Sequence, residues 1–187
     1  GQLIKSCEKM KIKAIGVDPN KNLIEFGKKF IKKNRLINLD FENCLKEISN
    51  TSCKVVSLIF VLEHLENPNQ VFLNFRKSKA KYLYISVPLF SLGVMFELGF
   101  QKNYSRILGG SHTNLYTKES LRYLCKKYKL QIVGEWWFGS DYIDLYTKLI
   151  NSSEKNSKFY KSKVNNFFKE NIDLFQNTLD KTEFCSD

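Results

Sequence analysis

Three short stretches carry side chains whose type and spacing could do chemistry. In the first, Lys11–Asn20 (KIKAIGVDPN), the apolar residues Ile12, Ala14, Ile15 and Val17 read as a buried parallel strand that stops on Asp18 and Pro19. A carboxylate at the carboxyl end of such a strand lies at the rim of the sheet. Open α/β sheets bind nucleotide-like ligands at that rim, and an acid there can accept both hydrogens of a ribose diol. Asp18 also starts the turn before a helix that Asn20 would cap, so the residues by themselves support both roles. The second stretch, Leu62–Pro68 (LEHLENP), follows the unbroken apolar run Val55–Val61, a central strand by its pattern. Asn67 and Pro68 read as a helix cap and first helical residue, which leaves Glu63 and His64 on a loop at the same rim. His64 is there either as a hydrogen-bonded structural residue or as a group that moves protons near neutral pH. The third stretch, Gly109–Asn114 (GGSHTN), is a polar turn that places His112 shortly before Tyr116.

These stretches need a scaffold, and apolar spacing outlines one. Leu3, Ile4 and Cys7 share a helix face within Gly1–Met10. A helix over Lys21–Asn34 would turn Leu23, Ile24, Phe26, Phe30 and Ile31 inward, and Leu36–Phe41 would be the next strand. Asp40 or Glu42 then falls near that strand's end, where either could meet a ligand. Leu45–Ile48 is helix-like, Pro68–Lys77 a helix, and Tyr82–Val87 a strand stopped by Pro88. Leu89–Leu108 is an apolar, aromatic excursion that either covers core or lines a greasy acceptor site. Thr117 caps a helix to about Tyr128, with Leu121, Leu124 and Cys125 inward, and Leu130–Phe138 reads as a further strand. From Gly139 the pattern is helical, over Tyr142–Ile150 and Lys158–Thr178.

The bulk numbers exclude several classes. With 187 residues, 43% of them hydrophobic, and no linker or repeat, the chain is expected to form one α/β domain. The net charge of +11 raises nucleic acid as a partner, yet only four of 30 basic residues are Arg: Arg35, Arg76, Arg106 and Arg122. Phosphate recognition favours the guanidinium fork, so the charge reads as a Lys-rich composition bias and no nucleic-acid partner is expected. Five cysteines without a CxxC pair fit a reduced, cytoplasmic setting. Tyr82–Phe100 is interrupted by Pro88, Glu97 and two glycines, so no membrane span is expected.

Strand–helix alternation with an acid after one strand and VLEHLENP after another resembles the class I S-adenosylmethionine-dependent methyltransferases, the group that includes the type 11, 12 and 23 methyltransferase domains. In that family a GxGxG loop follows the first strand, and Gly1 stands where its last glycine would, seventeen positions before Asp18. Val61–Pro68 is similar to the family's VLEH and helix start after strand four. Ser111–Leu121 (SHTNLYTKESL), followed by KKYKLQIVG, is similar to its H-[TD]-x-x-x-[FY]-[ST]-x-x-x-[LF] stretch. The resemblance implies a Rossmann-like, doubly wound, mostly parallel sheet with helices on both faces and a C-terminal helical extension. Residues 1–150 would form the methyltransferase-like domain and 151–187 its extension. The first strand, most of the glycine loop and the last strand have no counterpart here, which reads as a fragment of the fold.

Carried over, the resemblance implies that Gly1 lets the backbone approach the methionine part of S-adenosylmethionine and that Asp18 holds the ribose hydroxyls. Glu42, with Asp40 as the competing register, would lie beside the adenine, and Ile59 and Phe60 would flank the sulfonium. The chain departs from the family where Lys54 replaces the acid that often opens strand four. Related quinone-biosynthesis O-methyltransferases carry an E-x-x-E-H arrangement proposed to hold Mg²⁺. Only Glu63 and His64 match it, because Phe60 stands at its first position, and no metal ion is expected. The amino-methyltransferase signature (N/D)PP(Y/F) is replaced by LEHL. The implied activity is O- or C-methylation of a small-molecule or lipid- or sugar-linked acceptor, with His112 or His64 as general base. A non-catalytic scaffold of the same fold is the second reading. An NAD(P)-dependent Rossmann oxidoreductase is the third, and it ranks last because no catalytic Tyr-x-x-x-Lys pair is found at Tyr142–Tyr146.

Overall fold

Each regular element can be traced to a local cause. The computed structural model describes residues 1–102, 104–108, 110–152 and 158–186. It divides into a first unit, Gly1–Val56 with Asn69–Leu83, and a second, Ser57–Pro68 with Tyr84–Asp187.

In the first unit, helix α1 (Gln2–Lys9) precedes strand β1 (Gly16–Asp18), which pairs in parallel with β2 (Leu36–Asn38) in the register Gly16↔Leu36, Val17↔Ile37 and Asp18↔Asn38. Ile4, Ile24, Ile31 and Leu36 form the core, with Ala14 packed against them. A Cβ on Gly16 would stand 3.1 Å from Ile4 and 3.2 Å from Leu36, so a larger residue there would have to push these core side chains by a few tenths of an ångström.

Three expectations need correction here. The strand expected from Ile12 begins only at Gly16, because its partner enters the ladder at Leu36, after a 3-10 turn over Lys33–Arg35. Helix α2 (Lys21–Gly27), capped by the Asn20 side chain, stops at Gly27 instead of Asn34. A Cβ there would lie 2.7 Å from Leu36, and glycine is a poor helix former. The early stop breaks the expected face: Ile24 and Ile31 are buried, while Leu23, Phe26 and Phe30 are exposed. Finally, β2 ends at Asn38 because Asp40 caps α3 (Phe41–Asn50), accepting the Asn43 N–H at 2.8 Å. Helix α4 (Asn69–Lys77) buries Val71, Phe72 and Phe75 and packs against α3.

Strands β3 (Val55–Ile59) and β4 (Tyr82–Ser86) pair with each other. Their hydrogen bonds run from Lys81 and Tyr82 on the Lys54 carbonyl to Phe60 on the Ser86 carbonyl, the parallel order.

The second unit carries α5 (Leu92–Gly99), α6 (Lys118–Lys127), α7 (Asp141–Ser152) and α8 (Lys158–Lys181). Thr117 and Ser120 form a reciprocal capping box at the start of α6. Helices α7 and α8 pack through Tyr142 stacked on Phe175, centroids 4.9 Å apart, and Tyr146 against Phe168. A buried polar cluster ties this unit together. Asp141 accepts from Ser91 Oγ at 3.0 Å, Arg106 Nη1 at 3.1 Å and the Ser186 N–H at 3.0 Å, while Arg106 Nε reaches Asp144 at 2.7 Å. Ser186 in turn accepts the Leu89 N–H on its carbonyl at 2.7 Å.

Leu130–Phe138, expected as a strand, has no regular structure. Its residues find no ladder among the described residues, and without one an alternating apolar pattern leaves side chains in solvent: Val133 is 76% and Trp136 77% exposed. In the 89–108 excursion, Leu89, Val94, Tyr104 and Ile107 are buried, while Met95, Leu98 and Phe100 are exposed. No described helix is long and apolar enough to cross a membrane.

Candidate functional site

At the carboxyl end of β1 the Asp18 side chain is partly exposed, and its Oδ1 accepts the Asn20 N–H at 2.7 Å. One oxygen therefore starts the turn, and the other makes no hydrogen bond among the described residues. Asn38 fixes the strand end from the neighbouring strand, its amide donating to the carbonyls of Asp18 at 2.9 Å and Pro19 at 3.0 Å. That clamp was not legible beforehand, since it depends on the register that sets Asn38 opposite Asp18.

In the same unit, Asp40 uses both carboxylate oxygens on Asn43. The Asn43 N–H bond holds its carboxyl below the usual range, with the Asn43 side chain and Lys46 acting the same way. Glu42 is exposed in the first turn of α3. Gly1 sits at the N-cap of α1, where a Cβ would meet nothing nearer than Ile31 at 3.6 Å.

In the second unit the tip of β3 presents Ile59 and then Phe60, both exposed. Phe60 has a φ of 52°, the left-handed region that a bulky side chain rarely enters, and its N–H is held by the Ser86 carbonyl at 2.9 Å. The chain then makes a 3-10 turn over Leu62–His64, and the 111–116 segment closes onto it. The N–H groups of Thr113 and Asn114 donate to the Glu63 carbonyl at 2.8 and 3.0 Å. The Thr113 hydroxyl and Asn114 amide bond the Leu65 carbonyl, and Tyr116 OH donates to Leu62 at 3.2 Å.

This closure brings His64 and His112 together, with ring centroids 4.7 Å apart. Glu63 lies beside them, fully buried at 0% exposure. Burial pushes the Tyr116 hydroxyl up to about 12, and the Glu63 carboxylate acts in the same direction. His64 Nδ1 lies 3.2 Å from the Ser111 carbonyl and 3.1 Å from its hydroxyl. A carbonyl can only accept, which assigns the proton to Nδ1 and leaves Nε2 as the basic nitrogen. Trp136 is exposed, and Lys118 lies 5.4 Å over the Trp137 ring. An open depression of 360 Å³ is lined by Leu98–Lys102, within the 89–108 excursion, and includes none of the candidate catalytic or cofactor-binding residues.

Short parallel strands alternating with helices, with an acid clamped at the tip of β1, define an α/β domain of the Rossmann-like kind that takes nucleotide-type ligands at its strand ends. Within that class, the chain belongs to a family of methyltransferase domains, the type 23 group, whose model matches residues 1–135. A solved structure described as a SAM-dependent methyltransferase from Archaeoglobus fulgidus is similar at a TM-score of 0.55 and 22% identity. The likeness covers 74% of this chain and 60% of that one, so the chain spans less than two thirds of its solved neighbour, and the likeness carries the fold. No curated protein matches the sequence.

The residues of the first unit fit the adenosyl cofactor that family membership implies. Asp18 offers one uncommitted carboxylate oxygen at the strand tip, and at Gly1 the protein itself leaves space where a side chain would stand.

Proposed function

We propose that this domain binds S-adenosylmethionine and methylates an oxygen or carbon of a small-molecule or lipid- or sugar-linked acceptor. The observation that carries the reading is Asp18: a carboxylate at the carboxyl tip of a parallel strand, its backbone clamped by Asn38 and one oxygen free for a ribose hydroxyl. Glu42 and Asp40 are the candidates for the adenine side, and of the two only Asp40 is already engaged as a helix cap. Ile59 and Phe60, both exposed, are the candidates that the family resemblance gives for the sulfonium.

When bound, the cofactor supplies an already activated methyl group, so the protein's share is alignment of the acceptor and removal of a proton when that acceptor is a hydroxyl. His64 suits the proton step through its basic Nε2, and His112 lies against it. The low arginine content supports a small acceptor over a nucleic acid.

Calorimetric titration of the full chain with S-adenosylhomocysteine tests the reading. Asp18→Asn keeps an acceptor for the Asn20 N–H while removing the charge, so the fold should persist and affinity should fall about 10- to 100-fold. No heat of binding from the unaltered chain would favour a non-catalytic scaffold.

A further inference from the structure

We propose that Glu63, His64 and His112 form a site for one divalent transition-metal ion of the zinc, manganese, iron or cobalt type. The three side chains each offer a ligand atom, and these atoms lie within 4.8 Å of one another. Among the described residues, both Glu63 carboxylate oxygens are buried without a hydrogen-bond partner, and so is His112 Nδ1. Glu63 Oε1 lies 3.9 Å from His64 Nε2, too long for a hydrogen bond. A carboxylate taken wholly out of water needs a counter-charge or a set of donors, and the described residues supply no donor to the Glu63 side chain.

The surroundings are arranged as a metal site requires. The Ser111 carbonyl takes the His64 Nδ1–H, the outer contact that fixes the tautomer and turns Nε2, the lone-pair nitrogen, towards Glu63. Thr113 and Asn114 hold the His112 segment on the Glu63 and Leu65 carbonyls, so the third ligand is placed by protein hydrogen bonds before any ion arrives. His64 is exposed and His112 partly so, which leaves an entry path.

Two imidazoles and one carboxylate select a borderline cation over Mg²⁺ or Ca²⁺, which want mostly oxygen ligands. The sequence-based expectation of no metal counted only the two candidate ligands of the LEH segment. The fold adds His112 from a distant loop and changes the ligand set. Three protein ligands leave coordination open to water or to an oxygen of a bound molecule. The site is argued independently of the methyl-transfer reading and its test uses no turnover, but an ion on His64 Nε2 would take that nitrogen out of the general-base role.

Chelator-stripped full chain would be titrated with Zn²⁺ by calorimetry and with Co²⁺ by its visible absorption. The proposal expects one ion per chain, no displacement by excess Mg²⁺, and affinity reduced at least ~10-fold by His64→Ala or His112→Ala with circular dichroism unchanged. Glu63→Gln should act likewise, and the two histidine variants carry the test if it fails to fold. Absence of binding, or binding that survives the double histidine variant, overturns the proposal. S-adenosylhomocysteine binding, measured with and without chelator, reports on the cofactor reading separately.

Discussion

His64 and His112, the chain's two histidines, lie ring against ring with centroids 4.7 Å apart and planes tilted by 56°. They come from two loops joined by the hydrogen bonds of Thr113 and Asn114 to Glu63 and Leu65.

With an acceptor hydroxyl as substrate, replacing the histidine that takes the proton should lower kcat at saturating cofactor by about 10²- to 10⁴-fold, with little change in cofactor affinity. His64→Ala and His112→Ala, assayed separately, identify which ring does so. Unchanged turnover in both removes the general-base role.

Asp141 is the hub of the second unit's polar cluster, 2% exposed and bonded to Ser91, Arg106 and Ser186. Asp141→Ala leaves the part-buried Arg106 without one of its two carboxylates and removes the carboxylate that the Ser186 N–H donates to. Denaturant unfolding should show a loss of about 3–5 kcal/mol. Ser91→Ala removes one hydroxyl donor and should lose only about 1 kcal/mol.

Phe60 holds a left-handed backbone while its side chain is 48% exposed. Little packing is lost on truncation, and glycine adopts this φ freely. Phe60→Gly should therefore be close to neutral in thermal unfolding, whereas Phe60→Val should destabilise by about 1–2 kcal/mol because a β-branched residue resists the left-handed region. The reverse order would contradict the backbone geometry.

Burial pushes the Tyr104 and Tyr116 hydroxyls up to about 12, from a usual value of 10.0. Both groups are neutral in folded and unfolded chains below pH 10. Between pH 10 and about 12 the unfolded chain releases these protons first, so it binds fewer of them and stability falls as pH rises. Ultraviolet titration should show two of the nine tyrosines ionising late, followed by alkaline unfolding. Ionisation of all nine near pH 10 in the folded protein would contradict this burial.

Local chemistry made much of the chain readable. Asn20 and Thr117 were legible as caps because a short polar side chain before an amphipathic run has few other uses there. Asp40 was ambiguous for the same reason: capping and ligand binding ask for the same residue type at the same strand end. The strand expected over Leu130–Phe138 failed because alternation reports which faces a segment offers, and says nothing of whether another strand lies alongside.

From residue order alone came the α/β alternation, the Asp18 strand tip and the two histidine-bearing loops, since period, caps and motif spacing act within a few residues. Tertiary structure decided that Asn38 clamps Asp18, that the Glu63 carboxylate is buried without a hydrogen-bond partner among the described residues, and that His112 meets His64. Those relations depend on strand register and on loops that dock far along the chain, where hydrogen bonds and burial are settled by packing and not by any local sequence pattern.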